Sequence, residues 1–241
     1  MNEYPILLED IELETSDIMI ELSDLNCENN ILSAAEVCFE GNSAVATTAN
    51  ILSKIIDAVI KIIEWIFKWI NTIWRQLKKI WNVTIGRNKD AKFSRRDLEL
   101  PVERILQGSE NPFRLKNLPK VVSIDNLKTL KNSISSYEDM EELDVSSYVG
   151  NCDEKDVVDG LMDCNMYFSL CDNLVRTIEV CQKNAKTDLK TFKKDKDKIK
   201  IIQRCVSNSQ GIIKLINDTN VAMLNIERKV YGVNKPHSNV L

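Results

Sequence analysis

A polar stripe that repeats every three or four residues constrains the fold of this chain more than any other feature. It lies in the segment 43–81, where most of the remaining positions are apolar. The stripe consists of Lys54, Asp57, Lys61, Glu64, Lys68, Asn71, Arg75 and Lys78. This period places the polar side chains on one face of an α-helix, so the segment predicts a long amphipathic helix. At 1.5 Å per residue, that helix would be on the order of 60 Å long.

The apolar face of this helix contains all four tryptophans of the chain. A transmembrane span is excluded because a charge interrupts the apolar pattern every three or four residues. Two interpretations stay open: the core of a helical bundle, or a helix lying in a membrane interface, for which tryptophans and a basic end are typical. The residues that carry either interpretation are Ile63, Trp65, Ile66, Trp69, Trp74 and Trp81.

The C-terminal half also has helical periodicity. Ser123 predicts the cap of a helix that ends near Ser136, and a second periodic segment opens at Asp153. The last helix starts at Ile201 and ends near residue 232, with an interruption at 207–211 left open. Only seven glycines and five prolines occur in 241 residues, which is unfavourable for an all-β sandwich. The prediction is an all-α fold, in which a long central amphipathic helix packs with a C-terminal helical hairpin or bundle.

Composition divides the chain into five predicted segments. They are an acidic arm at 1–40, the amphipathic helix at 41–85, a basic proline-containing linker at 86–122, a helical bundle at 123–236 and a tail at 237–241.

Basic residues cluster at the end of the long helix and in the linker. The candidate phosphate contacts are Arg75, Lys78, Lys79, Arg87, Lys89, Lys92, Arg95 and Arg96. Few aromatic residues accompany them, so the pattern favours sequence-independent attraction to phosphate rather than recognition of bases. A solvated linker is the simpler alternative.

The acidic arm has eleven acidic side chains and no basic one, whereas the other 201 residues have 32 basic and 25 acidic side chains. The formal net charge of −4 is therefore the sum of −11 and +7. Such asymmetry indicates an arm that acts separately from the body. Without it, an acidic protein becomes a basic one, which nucleic acid or anionic membranes attract. An arm that only keeps the chain in solution is the simpler alternative.

No pattern in the sequence indicates an enzyme, a metal site or a cofactor. Phosphate-binding, dinucleotide-binding, metalloprotease and nucleophile-elbow motifs do not occur. The single histidine, His237, lies in the predicted tail, so a cysteine nucleophile would lack its usual partner. The seven cysteines form no CxxC pair, and the helical spacing of Cys164, Cys171 and Cys181 predicts free buried thiols. The N-terminus has no basic region followed by an apolar run, so no secretory signal is predicted.

The layout resembles the internal head (prohead core) proteins of large tailed bacteriophages. The shared features are the acidic arm, a stretch of small residues, a glutamate followed by glycine, a long Trp- and Lys-bearing helix and a helical C-terminal body. In that family a prohead protease removes an acidic propeptide by cutting after Glu, preferring an aliphatic or small residue two positions before it. The resemblance implies cleavage between Glu40 and Gly41, with secondary sites at Glu36 and Glu9. Cys38, two positions before Glu40, departs from that preference.

The resemblance implies a non-enzymatic protein of the virion interior that is made in the host cytoplasm. Its expected partners are capsid or scaffold proteins, the prohead protease and DNA, which it would bind non-specifically and with which it could be ejected. Self-association and contact with a membrane are further expectations. Two other classes remain as alternatives: a membrane-active helical toxin or effector that uses the helix at 44–81, and a cytoplasmic helical adaptor.

Overall fold

The structure, a computed structural model, is built from α-helices wherever it describes long stretches of the chain. It describes residues 45–79, 81–82, 94–106, 122–148, 154–192 and 195–233. The helices are α1 (Val45–Trp69), α2 (Arg95–Leu106), α3 (Ile124–Asn132), α4 (Glu154–Met162), α5 (Cys164–Thr191) and α6 (Lys196–Val233). A short 3-10 helix, Val145–Tyr148, precedes α4. These described stretches contain no β-strand, and the prediction of an all-α fold is confirmed.

The long helices α1, α5 and α6 form the centre of the bundle. Helices α1 and α5 are antiparallel, since Glu64 pairs with Lys186 and Lys78 pairs with Asp172. Helix α6 then returns antiparallel to α5 and packs against both of the others. Their apolar stripes meet in one continuous core. Full burial of an aliphatic side chain contributes about 1.5–3 kcal/mol, so these contacts dominate the stability of the bundle.

Helix α1 does not continue regularly to its predicted end. It passes into one π-helical turn, Ile70–Trp74, and the chain is α-helical again at 75–79. A π-helical turn contains more residues than an α-helical one, so the residues after it are rotated relative to a regular helix. Lys79 is therefore exposed, whereas Lys78, which the sequence period placed on the solvent face, is partly buried beside α5.

Helix α3 begins where the sequence predicts and ends earlier. The Ser123 hydroxyl accepts a hydrogen bond from the Asn126 backbone N–H at 3.2 Å, which caps the helix. The predicted end was Ser136, but the helix stops at Asn132. The Asp139 carboxylate accepts hydrogen bonds from the backbone N–H groups of Ser135 and Ser136, at 2.9 and 2.8 Å, and holds both residues in a turn.

The periodic segment after Asp153 contains two helices rather than one. Asp163 separates them: its carboxylate accepts a hydrogen bond from the Met166 backbone N–H at 3.2 Å and caps α5. Gly160 brings α4 close to α6, because a Cβ there would lie 2.6 Å from Met223 Cε. Helix α6, in contrast, runs without interruption through 207–211, where the sequence pattern allowed the helix to be interrupted.

The segment expected to be a linker, 86–122, includes helix α2. Ser94 begins this helix, and both its backbone N–H and its hydroxyl donate hydrogen bonds to the Asp97 carboxylate, at 2.8 and 2.7 Å. Leu98 and Val102 are buried, and α2 packs against α4 and α6. Pro101 lies inside the helix, where proline costs about 3 kcal/mol or more. The tertiary burial of two apolar side chains offsets a cost of that size.

Candidate functional site

The apolar face of α1 and of the turn that follows it is buried within the bundle. All six residues that the sequence assigned to a core or membrane face are less than a tenth exposed: Ile63, Trp65, Ile66, Trp69, Trp74 and Trp81. In this conformation the face contacts protein. A membrane could reach it only if α1 separated from α5 and α6.

An aromatic cluster joins the π-helical turn to α5. Trp74 stacks on Phe168 with ring centroids 5.1 Å apart and planes 9° apart, and Trp69 lies 6.2 Å from Trp74. Trp81 contacts Phe168 and Tyr167, with centroids 5.7 and 6.3 Å away. Offset aromatic pairs contribute about 0.5–1.5 kcal/mol beyond the area they bury, so the cluster fixes the position of the π-helical turn.

Asp172 of α5 is the polar centre of the same interface. Its carboxylate accepts hydrogen bonds from Trp74 Nε1 at 2.9 Å, from Lys78 Nζ at 3.2 Å and from Arg176 Nε at 3.1 Å, and the side chain is only 17% exposed. Burial works to raise the pKa of this carboxyl, but the hydrogen bonds from Trp74 and Lys78 and the two nearby cations outweigh it and lower the pKa. Asp172 is therefore a carboxylate that holds the π-helical turn against α5.

Replacing Asp172 with Asn should destabilise the bundle by about 1–3 kcal/mol at pH 7, because the buried Trp74 Nε1 and the two cations lose a charged acceptor. A carboxyl whose pKa is lowered by folding stabilises the protein above its unfolded pKa of about 3.9, and this contribution disappears as the pH falls through the folded value. The Asn variant should thus differ from the parent much less at pH 2 than at pH 7. Urea unfolding at both pH values measures this difference.

The control for this prediction is Asp125→Asn. Asp125 is 90% exposed, and its replacement should change the free energy of unfolding by no more than about 0.5 kcal/mol. Equal destabilisation of the Asp172 variant at both pH values would contradict a role for the charge.

The candidate phosphate contacts have different environments. Three lie outside the described residues: Arg87, Lys89 and Lys92. Four are exposed: Arg75, Lys79, Arg95 and Arg96. Two form ion pairs within the body, since Lys78 is bound to Asp172 and Arg95 pairs with Glu99 at 3.0 Å and Asp159 at 2.7 Å. The predicted cleavage positions also lie outside the described residues: Glu9, Glu36, Glu40 and Gly41.

Helix α5 contributes exposed basic residues that the sequence analysis missed. Arg176 and Lys183 have side chains 66% and 61% exposed, and Lys190 is also exposed. These three follow one another at intervals of seven residues, which places them along one line on a helix. This seven-residue spacing is visible in the sequence, but the sequence analysis used only the apolar periodicity of the same segment, which predicts its buried face.

Two parts of the described body differ in net charge, and we call them the basic side and the acidic side. Residues 45–79 contain six basic and two acidic side chains, a net charge of +4. Residues 122–148 and 154–163 together contain three basic and ten acidic side chains, a net charge of −7. On the acidic side, a depression of about 310 Å³ is lined by Asp125, Asp156, Asp159 and Asp163 among others. The basic side, centred on α1, is the face suited to an anionic partner.

The four described cysteines are buried free thiols: Cys164, Cys171, Cys181 and Cys205. This confirms the prediction made for Cys164, Cys171 and Cys181. Burial raises the pKa of Cys171 to about 12, that of Cys181 to about 11 and that of Cys205 to about 12. A thiol with so high a pKa carries almost no thiolate at neutral pH and is a poor nucleophile.

The described residues lack two further features. No group of three or more His, Cys, Asp or Glu side chains is placed to hold a metal ion there. None of the described helices combines the length and the apolarity needed to cross a membrane.

Comparison with family models, with curated proteins and with solved structures found no match to this chain.

Proposed function

We propose that this chain is a non-enzymatic internal head protein of a large tailed bacteriophage, processed near Glu40 and packaged with DNA. The observation that carries the proposal is the charge boundary that falls at Glu40. Up to and including Glu40 every charged side chain is acidic, whereas the other 201 residues have a net charge of +7. Cleavage after Glu40 would therefore remove eleven negative charges and no positive one.

The surface of the body supports the same proposal. The exposed side of α1 is basic, and the apolar side is occupied by α5 and α6. A folded body with a basic face can lie among DNA phosphates by releasing their counterions, without recognising any sequence. Before cleavage the acidic arm would oppose that attraction and favour contact with basic scaffold surfaces inside the prohead.

Mass spectrometry of the protein isolated from mature particles tests the processing step. We expect an N-terminus at Gly41, and an intact Met1 in the working form would contradict the proposal. Glu40→Gln should block the cut, because the implied protease cleaves after Glu. Glu36→Gln is the matched control, and it should leave cleavage after Glu40 unchanged.

A membrane-active toxin or effector is the second candidate, favoured by the concentration of all four tryptophans on one amphipathic helical segment. In that function the segment would leave the bundle and enter an anionic bilayer. Lipids with brominated chains would then quench the tryptophan fluorescence strongly. We expect no such quenching, since these side chains are buried against α5 and α6.

A further inference from the structure

Two ion pairs fix the register between α1, its continuation and α5. Lys186 Nζ lies 3.0 Å from Glu64 Oε1, and Lys78 Nζ lies 3.2 Å from Asp172 Oδ2. Fourteen residues separate the two partners on each side of the interface. Because the helices are antiparallel, each residue between 64 and 78 lies level with one between 186 and 172.

This register pairs exposed bases at three successive levels. On each side they repeat every seven residues. To within one residue, or about 1.5 Å of helix, the levels are Lys61 with Lys190, just beyond the Glu64–Lys186 pair, then Lys68 with Lys183, and Arg75 with Arg176. We call these six residues the basic ladder. Seven residues of helix span about 10 Å, so the ladder is roughly 20 Å long.

The acidic residues between the two sides of the ladder are engaged in ion pairs. Glu64 pairs with Lys186, Glu179 pairs with Lys183 at 2.7 Å, and Asp172 pairs with Lys78 and Arg176. Residues 45–79 have a net charge of +4 and residues 164–192 of +1, four basic against three acidic, so the two segments together have a net charge of +5. All six bases of the ladder are exposed, and two of them, Arg176 and Lys183, are also the ion-pair partners of Asp172 and Glu179.

We infer that the basic ladder is the surface through which this protein holds the phosphate backbone of double-stranded DNA. The inference rests on the proposed function and specifies where the packaged DNA lies. Duplex DNA presents one negative charge about every 1.7 Å of its axis, so a face roughly 20 Å long meets several phosphates at once. The tryptophans that could stack on unpaired bases are buried, so the ladder contacts the backbone of a duplex rather than the bases of a single strand.

The test is the quadruple variant Lys61→Gln, Lys68→Gln, Lys183→Gln and Lys190→Gln, which removes two levels and leaves Arg75, Arg176 and the Asp172 contacts in place. The matched control removes four exposed bases elsewhere: Lys128→Gln, Lys131→Gln, Lys155→Gln and Lys214→Gln. Both variants are compared with the parent as the full chain and as a chain that begins at Gly41. Circular dichroism and thermal melts establish that each protein is folded.

Binding to a duplex of arbitrary sequence is then measured between 50 and 200 mM salt. For the chain that begins at Gly41, the ladder variant should bind about a hundredfold or more weakly at 50 mM salt, and the slope of log K against log salt should fall by about 3 to 4. The control should change both quantities much less. Equal losses in the two variants would show that net charge alone binds DNA, and would overturn the ladder while leaving the proposed function standing.

Two other outcomes also overturn the ladder. If the parent that begins at Gly41 binds no duplex at 50 mM salt, both the ladder and DNA binding as part of the proposed function fail. If it prefers anionic vesicles or single-stranded DNA over duplex at equal phosphate concentration, the inference that the ladder binds duplex DNA is wrong.

Discussion

Aspartates at both Ile63 and Ile66 should unfold the helical body. Both side chains are fully buried in the core where α1 meets the other long helices. A carboxylate placed there would lose its hydration without gaining a partner, and large destabilisations of this kind exceed about 4 kcal/mol. Native domains are stable by only about 5–15 kcal/mol, so the double variant should be unfolded at 25 °C. Far-UV circular dichroism and urea titration measure the loss.

The matched control is Asn71→Asp. Asn71 is exposed on the π-helical turn, and a charge at that position should cost no more than about 0.5 kcal/mol. A double Ile63/Ile66 variant that stays folded but no longer binds anionic vesicles would instead support a membrane face. If it stayed folded and bound vesicles as the parent does, neither the core nor the membrane interpretation would stand.

The helical class and the course of α1 could be predicted because burial imposes a period on the sequence. Each turn of α1 must present polar side chains to water and apolar ones to α5 and α6, so the stripe from Lys54 to Arg75 reports the helix directly. The cap of α3 at Ser123 was predictable for a similar reason, since it depends on a residue only three positions away.

The remaining features depend on contacts between residues far apart in the chain. The π-helical turn directs Trp74 and Lys78 toward Asp172, about a hundred residues later, and no local period reports that contact. Helix α2 contains Pro101, and it packs against α4 and α6 rather than following a strong local preference. The break at Asp163 leaves the apolar spacing on both sides intact, so the pattern alone could not reveal it.

For the same reason, only one side of the basic ladder could be predicted from the sequence. Its α1 residues belong to the polar stripe, and its α5 residues lie more than a hundred positions away. The antiparallel register, set by Glu64 with Lys186 and Lys78 with Asp172, is what brings the two rows of bases to the same levels.

Removal of residues 1–40 should convert a poor DNA binder into a strong, sequence-independent one. The arm has a charge of −11 and the rest of the chain +7, so the net charge changes sign on cleavage. Residues 54–120 include fifteen basic and seven acidic side chains, and the exposed bases of α1 belong to this region. Phosphate neutralisation by these bases releases counterions, which makes the binding strongly dependent on salt.

A salt titration of DNA binding by the full chain and by the chain that begins at Gly41 tests the account most directly. If six or more phosphates are engaged, raising the salt from about 50 to 200 mM should weaken binding of the shorter chain by about 10³-fold or more. The full chain should bind far more weakly at 50 mM. Equal binding of the two chains at low salt would contradict the account, because the arm would then not oppose the attraction between the body and DNA.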